Sequence, residues 1–495
     1  MCAIISIIKI YGHIGRNDAS GKGVAGMGTK NTIQSAYSAV RSAYKDTSLK
    51  KLYPSRYLAA AKRPVRPGYV VFLEVREKEL TDNFRLIRAA LERRNRERGE
   101  NEEKAEEKAE EKAEEKAGEK AEDTQESYSF DTVCIREGME NPASVTLRCL
   151  AAIPKIARAE YVFVNESSYF LSSLPLRPET TVIQTWHACG AFKKFGYSAV
   201  GKGFGTTEAD LEKYPVHKNF SYVTVSSEEV VWAYAEAFHM EDRVQDILPI
   251  GVSRTDLYFH SKVRRNAALR VRHVLEDRNP SLRDEPAPAC LIGANGSFGK
   301  RGGAMPRDCE RVFEKKKLLL YAPTYRGSVR EAASPDQLDI LRLKEELGDG
   351  YLLLIRQHPF VRKKAVIPKG AEGFAMDVSD LRIEDLIIAS DMLITDYSSI
   401  VFEYSLFEKP MVFFAFDLED YEKQRGFYYP VREMMSGPIC HSTHDVAREI
   451  RRMETGFDWL RVREFKYRFM GGCDGHATER ILRLMDAVRE KKKRA

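Results

Sequence analysis

Short strand-like runs, those of the second series mostly apolar throughout, separated by helical patterns, constrain this chain more than any other feature. Tyr69–Leu73, Asp131–Ile135, Tyr161–Val164, Thr181–Thr185 and Tyr222–Val225 form one series. Lys317–Tyr321, Tyr351–Ile355, Met392–Thr395 and Met411–Phe414 form a second. A strand with one wet face alternates apolar and polar residues, whereas unbroken apolar runs belong to strands covered on both faces. Helical patterns fall between them: through Phe84, Leu86, Ile87 and Leu91, at Pro142–Ile156, through Trp232 and Tyr234, and near 337–347, 383–390 and 399–407. That alternation is what a parallel α/β sheet requires. Pro280 to Pro306, bearing Gly293, Gly296, Gly299, Gly302 and Gly303, reads as a linker. The expected architecture is therefore α/β, with two Rossmann-like domains over 69–295 and 305–495. Their parallel sheets face a central cleft, and ligands bind beyond the strand C-termini.

Charge distribution adds a third segment. The 495 residues carry a net charge of +6, but residues 1–68 hold twelve basic and two acidic side chains. Residues 102–121 repeat Glu-Glu-Lys-Ala with nine Glu and five Lys. That repeat has high helix propensity and no apolar stripe, so a solvated helical or disordered insertion over about 96–126 is expected. The basic segment, helical over 31–63, is expected to meet an anionic membrane surface through Arg41–Arg66. No run approaches the ~20 apolar residues of a membrane span. A peripheral protein on the cytoplasmic face of the cell membrane is the expectation, with no nucleic-acid partner. The eight cysteines are scattered without a CxxC, which argues for reduced thiols rather than disulfides or zinc. His441, His444 and His476 show no ligand spacing, so no metal or cofactor is expected.

Several loops after strands carry chemistry. Gly21-Lys22-Gly23-Val24-Ala25-Gly26 satisfies G-x-G-x-x-G without directly following a strand, and is read as a loop. Gly299-Lys300 lacks the rest of a phosphate-binding loop. In Ile394-Thr395-Asp396-Tyr397-Ser398-Ser399, a buried strand runs into a helix that Ser398 or Ser399 can cap. The helix start would offer N–H groups to a diphosphate, and Glu403, one turn on, could accept from ribose hydroxyls. Ordinary capping with a solvated Glu403 fits the same residues. Arg326 and the Arg356-Gln357-His358 turn follow neighbouring strands, where they could neutralise phosphate. Trp186-His187 opens a glycine-bearing loop after another strand. His187 is either a general base or a side chain packed on Trp186. Lys193, Lys194 and Arg254 supply further cations for a phosphorylated acceptor.

These segments resemble the CDP-glycerol glycerophosphotransferase family of teichoic acid synthesis. The likeness is strongest over Asp385–Tyr429, with Asp396-Tyr397-Ser398-Ser399, Phe402-Glu403, Lys409-Pro410, Asp417-Leu418 and Arg425-Gly426-Phe427-Tyr428. Glu403 stands where the family has Asp, and Ala188-Cys189 where it has Gly-Thr. The resemblance implies a GT-B fold and transfer of glycerol phosphate, or ribitol phosphate, from a CDP-alcohol to a lipid-linked polyol-phosphate hydroxyl, with release of CMP. A UDP-sugar glycosyltransferase is the rival. It also implies His187 as the base. Arg326, Arg356, His358, Asp396, Ser398, Ser399 and Glu403 would then lie on the donor, and Trp186, Lys193, Lys194 and Arg254 on the acceptor.

Overall fold

The computed structural model describes residues 39–40, 42–112, 127–202, 207–288, 291, 311–327 and 331–494. The Gly21–Gly26 and Gly299-Lys300 motifs, and the repeat beyond Lys112, lie outside the described residues.

Two six-stranded sheets form the frame, in the orders β2-β1-β3-β4-β5-β6 and β12-β11-β10-β7-β8-β9. The first sheet comprises β1 (Arg66–Glu74), β2 (Ser129–Cys134), β3 (Ala159–Val164), β4 (Thr181–Gln184), β5 (Tyr222–Thr224) and β6 (Ile247–Leu248). The second comprises β7 (Lys317–Ala322), β8 (Tyr351–Ile355), β9 (Ala375–Asp377), β10 (Met392–Thr395), β11 (Met411–Phe414) and β12 (Ile439–Cys440). The registers through β1, β3 and β4, and through β7, β8, β10 and β11, are parallel. Val70–Leu73, Tyr161–Val164 and Leu352–Leu354 have no exposed surface, so the unbroken apolar runs are covered on both faces as expected. Strands β9 and β12 were not visible in the sequence, because so few residues rarely show a pattern.

The chain divides into two compact units. The first takes residues 1–186, 209–223 and 489–495, and the second 187–208 and 224–488. In the first, the helix of residues 42–47 runs through a π-helical turn at Ser48–Leu52 into Tyr53–Ala60, making one continuous helical run over 42–60, while Arg41 and the rest of the basic segment before residue 39 lie outside the described residues. Buried Tyr53 and Tyr57 anchor it, and the Tyr57 hydroxyl accepts from the Arg177 N–H at 3.3 Å. The helix Asp82–Lys112 carries on into the Glu-Glu-Lys-Ala repeat. Arg489 closes the unit with a bidentate pair to Glu160, at 3.1 and 2.9 Å. In the second unit, Leu319, Leu353, Ile394 and Val412 form the sheet side of a core. Val446 and Ile450 of the helix Thr443–Thr455 cover it. Of the segment read as a linker, Pro280–Asp284 is a short 3-10 turn, and residues 292–310 lie outside the described residues.

Candidate active site

The C-terminal ends of β7, β8 and β10 place most of the expected donor residues in the second unit. Asp396 follows β10, almost fully buried, and accepts from the Thr324 N–H (2.8 Å), the Thr324 hydroxyl (2.8 Å) and the Tyr397 N–H (2.7 Å). Burial pushes its carboxyl up, against the opposing pull of Arg326. Arg326 forms a fork to Asp417 at 2.7 and 2.9 Å, pairs with Asp396 at 3.0 Å and donates to the Thr324 carbonyl at 2.8 Å. Tyr397 donates to the same Asp417 and stacks on Tyr421 at 4.1 Å. Arg326 is thus held by two carboxylates, and it splints the loops after β7, β10 and β11.

Arg356 is different. Its guanidinium meets only carbonyl oxygens, those of Leu381 at 3.1 Å and of Gln357, and among the described residues it makes no ion pair. Burial holds its pKa below the ordinary value. His358 lies on the same turn with its Nδ1 accepting from the Phe360 N–H at 3.2 Å. Burial, with Lys193 and Arg356 nearby, pushes the His358 imidazole down to about 4. The neutral ring therefore carries its proton on Nε2, where it can donate. Tyr325 and Phe360 flank the ring at 4.7 and 4.8 Å. An arginine with no carboxylate at ion-pair distance, its nearest being Glu384, Asp377 and Asp380 within electrostatic reach only, a neutral histidine donor and a lysine close by together suit an anion.

The expected helix after Ser398-Ser399 spans only Ile400–Ser405. Ser399 makes no side-chain cap, and Ser398 Oγ accepts from the Ile400 N–H at a long 3.4 Å. So short a helix has little dipole to offer an anion. Glu403 is not solvated. Arg254 grips both its oxygens at 3.0 Å, and the Tyr258 hydroxyl donates to it at 3.1 Å. The two ion-pair side chains are 13% and 14% exposed. Arg254 and Glu403, assigned to different substrates from the sequence, form one buried pair.

The His187 loop is knitted into the same unit. Gly190 has φ +62°, and a Cβ there would come within 2.3 Å of the Phe402 ring, so only glycine fits. The Gly190 N–H donates to Ser226 Oγ at 3.0 Å, and the Tyr234 hydroxyl to the Gly190 carbonyl at 3.1 Å. Lys193 bridges Phe427 in antiparallel fashion, the Lys194 N–H donates to the Gly426 carbonyl, and Lys193 Nζ lies 3.4 Å from the Tyr421 hydroxyl. Lys193 also lies within electrostatic reach of His358 and Asp396. Lys194 faces Glu236 at 3.8 Å. Cys189 is buried with its thiol held protonated by Cys473 and by burial. His187 itself is exposed. Trp186, which closes the first unit, holds a left-handed φ of +52°. That is a strained backbone for a bulky residue, fixed by Gln184 Oε1 accepting its N–H (2.8 Å) and Asn83 donating to its carbonyl (3.0 Å).

Sequence reasoning missed Thr324, Tyr258 and Tyr421 as partners of the site. Each binds a residue far along the chain, and no local pattern announces that. Asp417 was visible only as part of a resembling stretch. Among the described residues, no group of three or more His, Cys, Asp or Glu is placed to hold a metal ion.

Two parallel-stranded Rossmann-like units with basic residues at strand ends define the class, a two-domain α/β protein of GT-B type. The chain belongs to the CDP-glycerol:poly(glycerophosphate) glycerophosphotransferase family, whose profile matches residues 55–279 and 307–486. That family comprises CDP-alcohol phosphotransferases of teichoic acid synthesis. The chain is 32% identical to the teichoic acid ribitol-phosphate primase of Bacillus spizizenii over 430 residues, covering 86% of this chain and 92% of that protein. It is 28% identical to the glycerol-phosphate primase of Bacillus subtilis over 343 residues, covering 67% and 76%. It spans about half of the B. spizizenii poly(ribitol-phosphate) polymerase, 33% identical over 66% of this chain and 46% of that one. The solved wall teichoic acid polymerase TagF shares the fold, with TM-score 0.58 at 22% identity over 94% of this chain and 98% of that one.

Proposed function

We propose that this protein transfers a polyol phosphate from a CDP-alcohol to a hydroxyl of a lipid-linked teichoic acid-type acceptor, and that ribitol phosphate is the group moved. The observation that carries the site is Arg356, a partly buried cation with no carboxylate partner, beside neutral His358 and Lys193. An enzyme that takes up a diphosphate keeps such a cation unneutralised until the substrate arrives. Similarity along nearly the full length of a ribitol-phosphate primase supports ribitol and a priming role. Glycerol is the second reading, supported by the family description and by similarity to a glycerol-phosphate primase.

In this reading Arg356, His358 Nε2–H and Lys193 hold the diphosphate, with Ser398 and Ser399 lining it. Glu403 has about four acceptor positions, three of them taken by Arg254 and Tyr258, which leaves one for a ribose hydroxyl. His187 accepts the acceptor's hydroxyl proton. The oxygen attacks the phosphorus bearing the polyol, the bond to the bridging oxygen breaks, and CMP leaves. Positioning and charge stabilisation supply most of the acceleration. The test is CMP release from CDP-ribitol and CDP-glycerol with a lipid-linked acceptor. Faster release from CDP-glycerol replaces ribitol with glycerol, and no CMP from either sinks the reading.

Membrane contact through the basic segment belongs to the same proposal. Lys51, Arg56, Lys62 and Arg63 are exposed around Leu58, which is 59% exposed, whereas Lys45 covers the Tyr169 and Tyr214 rings. Among the described residues no helix is long and apolar enough to cross a membrane. Replacing those four cations with Ala should abolish flotation with anionic vesicles, and undiminished flotation rejects the contact.

A further inference from the structure

The second unit holds an open cavity of about 790 Å³ that the proposed reaction does not use. Ser227, Glu228, Trp232, Tyr467, Arg468 and Gly472 are among its lining residues. We propose that it is a carbohydrate site for a neutral pyranose, with Trp232 as the stacking platform and Ser227 and Glu228 as hydrogen-bonding partners.

Trp232 is 45% exposed yet fixed. Its Nε1–H donates to the Tyr429 hydroxyl at 2.9 Å, and that hydroxyl donates to the Glu229 carbonyl at 2.8 Å. Tyr428 and Tyr429 meet the indole edge to face at 5.6 and 5.5 Å. A large apolar ring held exposed by its own hydrogen bonds is preorganised, so binding costs it little rotamer entropy. Tyr467, 66% exposed, supplies a second aromatic surface. The C–H face of a pyranose is apolar and its rim is all hydroxyls, which matches rings flanked by a carboxylate.

Ser227 points independently to a ligand. Its hydroxyl is buried behind the cavity wall with no hydrogen-bond partner among the described residues, a cost that is removed when the Ser227 side chain turns to a ligand hydroxyl in the cavity. The floor is built backbone on backbone. The Gly472 N–H donates to the Ser226 carbonyl at 2.8 Å, and a Cβ on Gly472 would lie 2.6 Å from the Pro249 carbonyl oxygen. The cations of the cavity are already matched. Arg468 pairs with Glu229 at 2.6 Å and Glu433 at 2.8 Å, and Arg480 pairs with Asp474. With no cation left over, the cavity selects a neutral ligand rather than a phosphate.

The test is saturation-transfer NMR on the full chain with maltose, cellobiose and N,N′-diacetylchitobiose, alongside cytidine and inorganic phosphate. At least one disaccharide should show transfer. Tyr467→Ala, a surface change, should weaken it several-fold, and Trp232→Ala about tenfold. Ser227→Ala should weaken it about threefold while the affinity for CDP stays unchanged. The proposal falls if no disaccharide shows transfer, if Trp232→Ala and Tyr467→Ala leave it undiminished, or if cytidine or phosphate displaces the sugar. CDP titration and CMP release read the transferase site separately, so failure of either reading is distinguishable from failure of the other.

Discussion

Replacing Glu403 with Gln asks what the buried Arg254 pair does. The guanidinium cannot lose its proton, so the variant leaves a cation that is 13% exposed without its counter-charge. Two charges about 4 Å apart at an effective dielectric near 20 attract by about 4 kcal/mol. Stripping one partner from a buried pair costs about 3–5 kcal/mol. The Gln oxygen keeps one of the two 3.0 Å contacts, which reduces the expected loss to about 2–3 kcal/mol. For a unit of this size that corresponds to a thermal midpoint lower by roughly 3–5 °C. Arg254→Met alone should lose a similar amount, because it strands the carboxylate. The double variant should lose less than the sum of the two, with a coupling of about 2 kcal/mol. Circular dichroism during heating gives the midpoints, and calorimetry with CDP gives the binding cost. A Glu403→Gln loss under about 1 kcal/mol, or additive single variants, would refute the reading of a tightly coupled buried pair. If Glu403 also meets the ribose, its variants weaken CDP binding beyond the effect of Arg254→Met.

Arg356→Lys keeps the charge but loses the planar fork, so CDP affinity should fall about tenfold; unchanged affinity would remove Arg356 from the anion site. His187→Ala should lower turnover by roughly 10²–10⁴ while leaving CDP binding intact. Equal losses in binding and rate would move His187 to the donor. His358 is held near 4, below its ordinary 6.5, so its neutral form supports the fold above pH 6.5. That support is lost as the pH falls from about 6.5 to about 4, and amounts to about 1–2 kcal/mol after solvent screening of a partly exposed ring. Melting of His358→Gln across that range should show a smaller acid loss than the parent chain, and an identical loss would overturn the assignment.

The sequence by itself determined the parallel α/β frame and where most strands lie. Fully buried strands announce themselves in four to six consecutive residues, and a strand's burial on both faces is a local pattern. It also marked the loops that carry Arg326, Arg356, His358, Asp396 and His187, since residues just past a buried strand sit at the ligand edge of such a sheet. The tertiary structure alone decided what those side chains do. Arg326 looked like a phosphate ligand and proved to be tied to Asp417, 91 residues away. Glu403 and Arg254, 149 residues apart, became one pair. Lys193, read from the sequence with the acceptor residues, lies within electrostatic reach of Asp396 and His358. Whether a cation is free for a substrate depends on which carboxylate folds against it. Pairings across so many residues leave no periodicity in the chain, so burial patterns were legible in the sequence and charge partners were not.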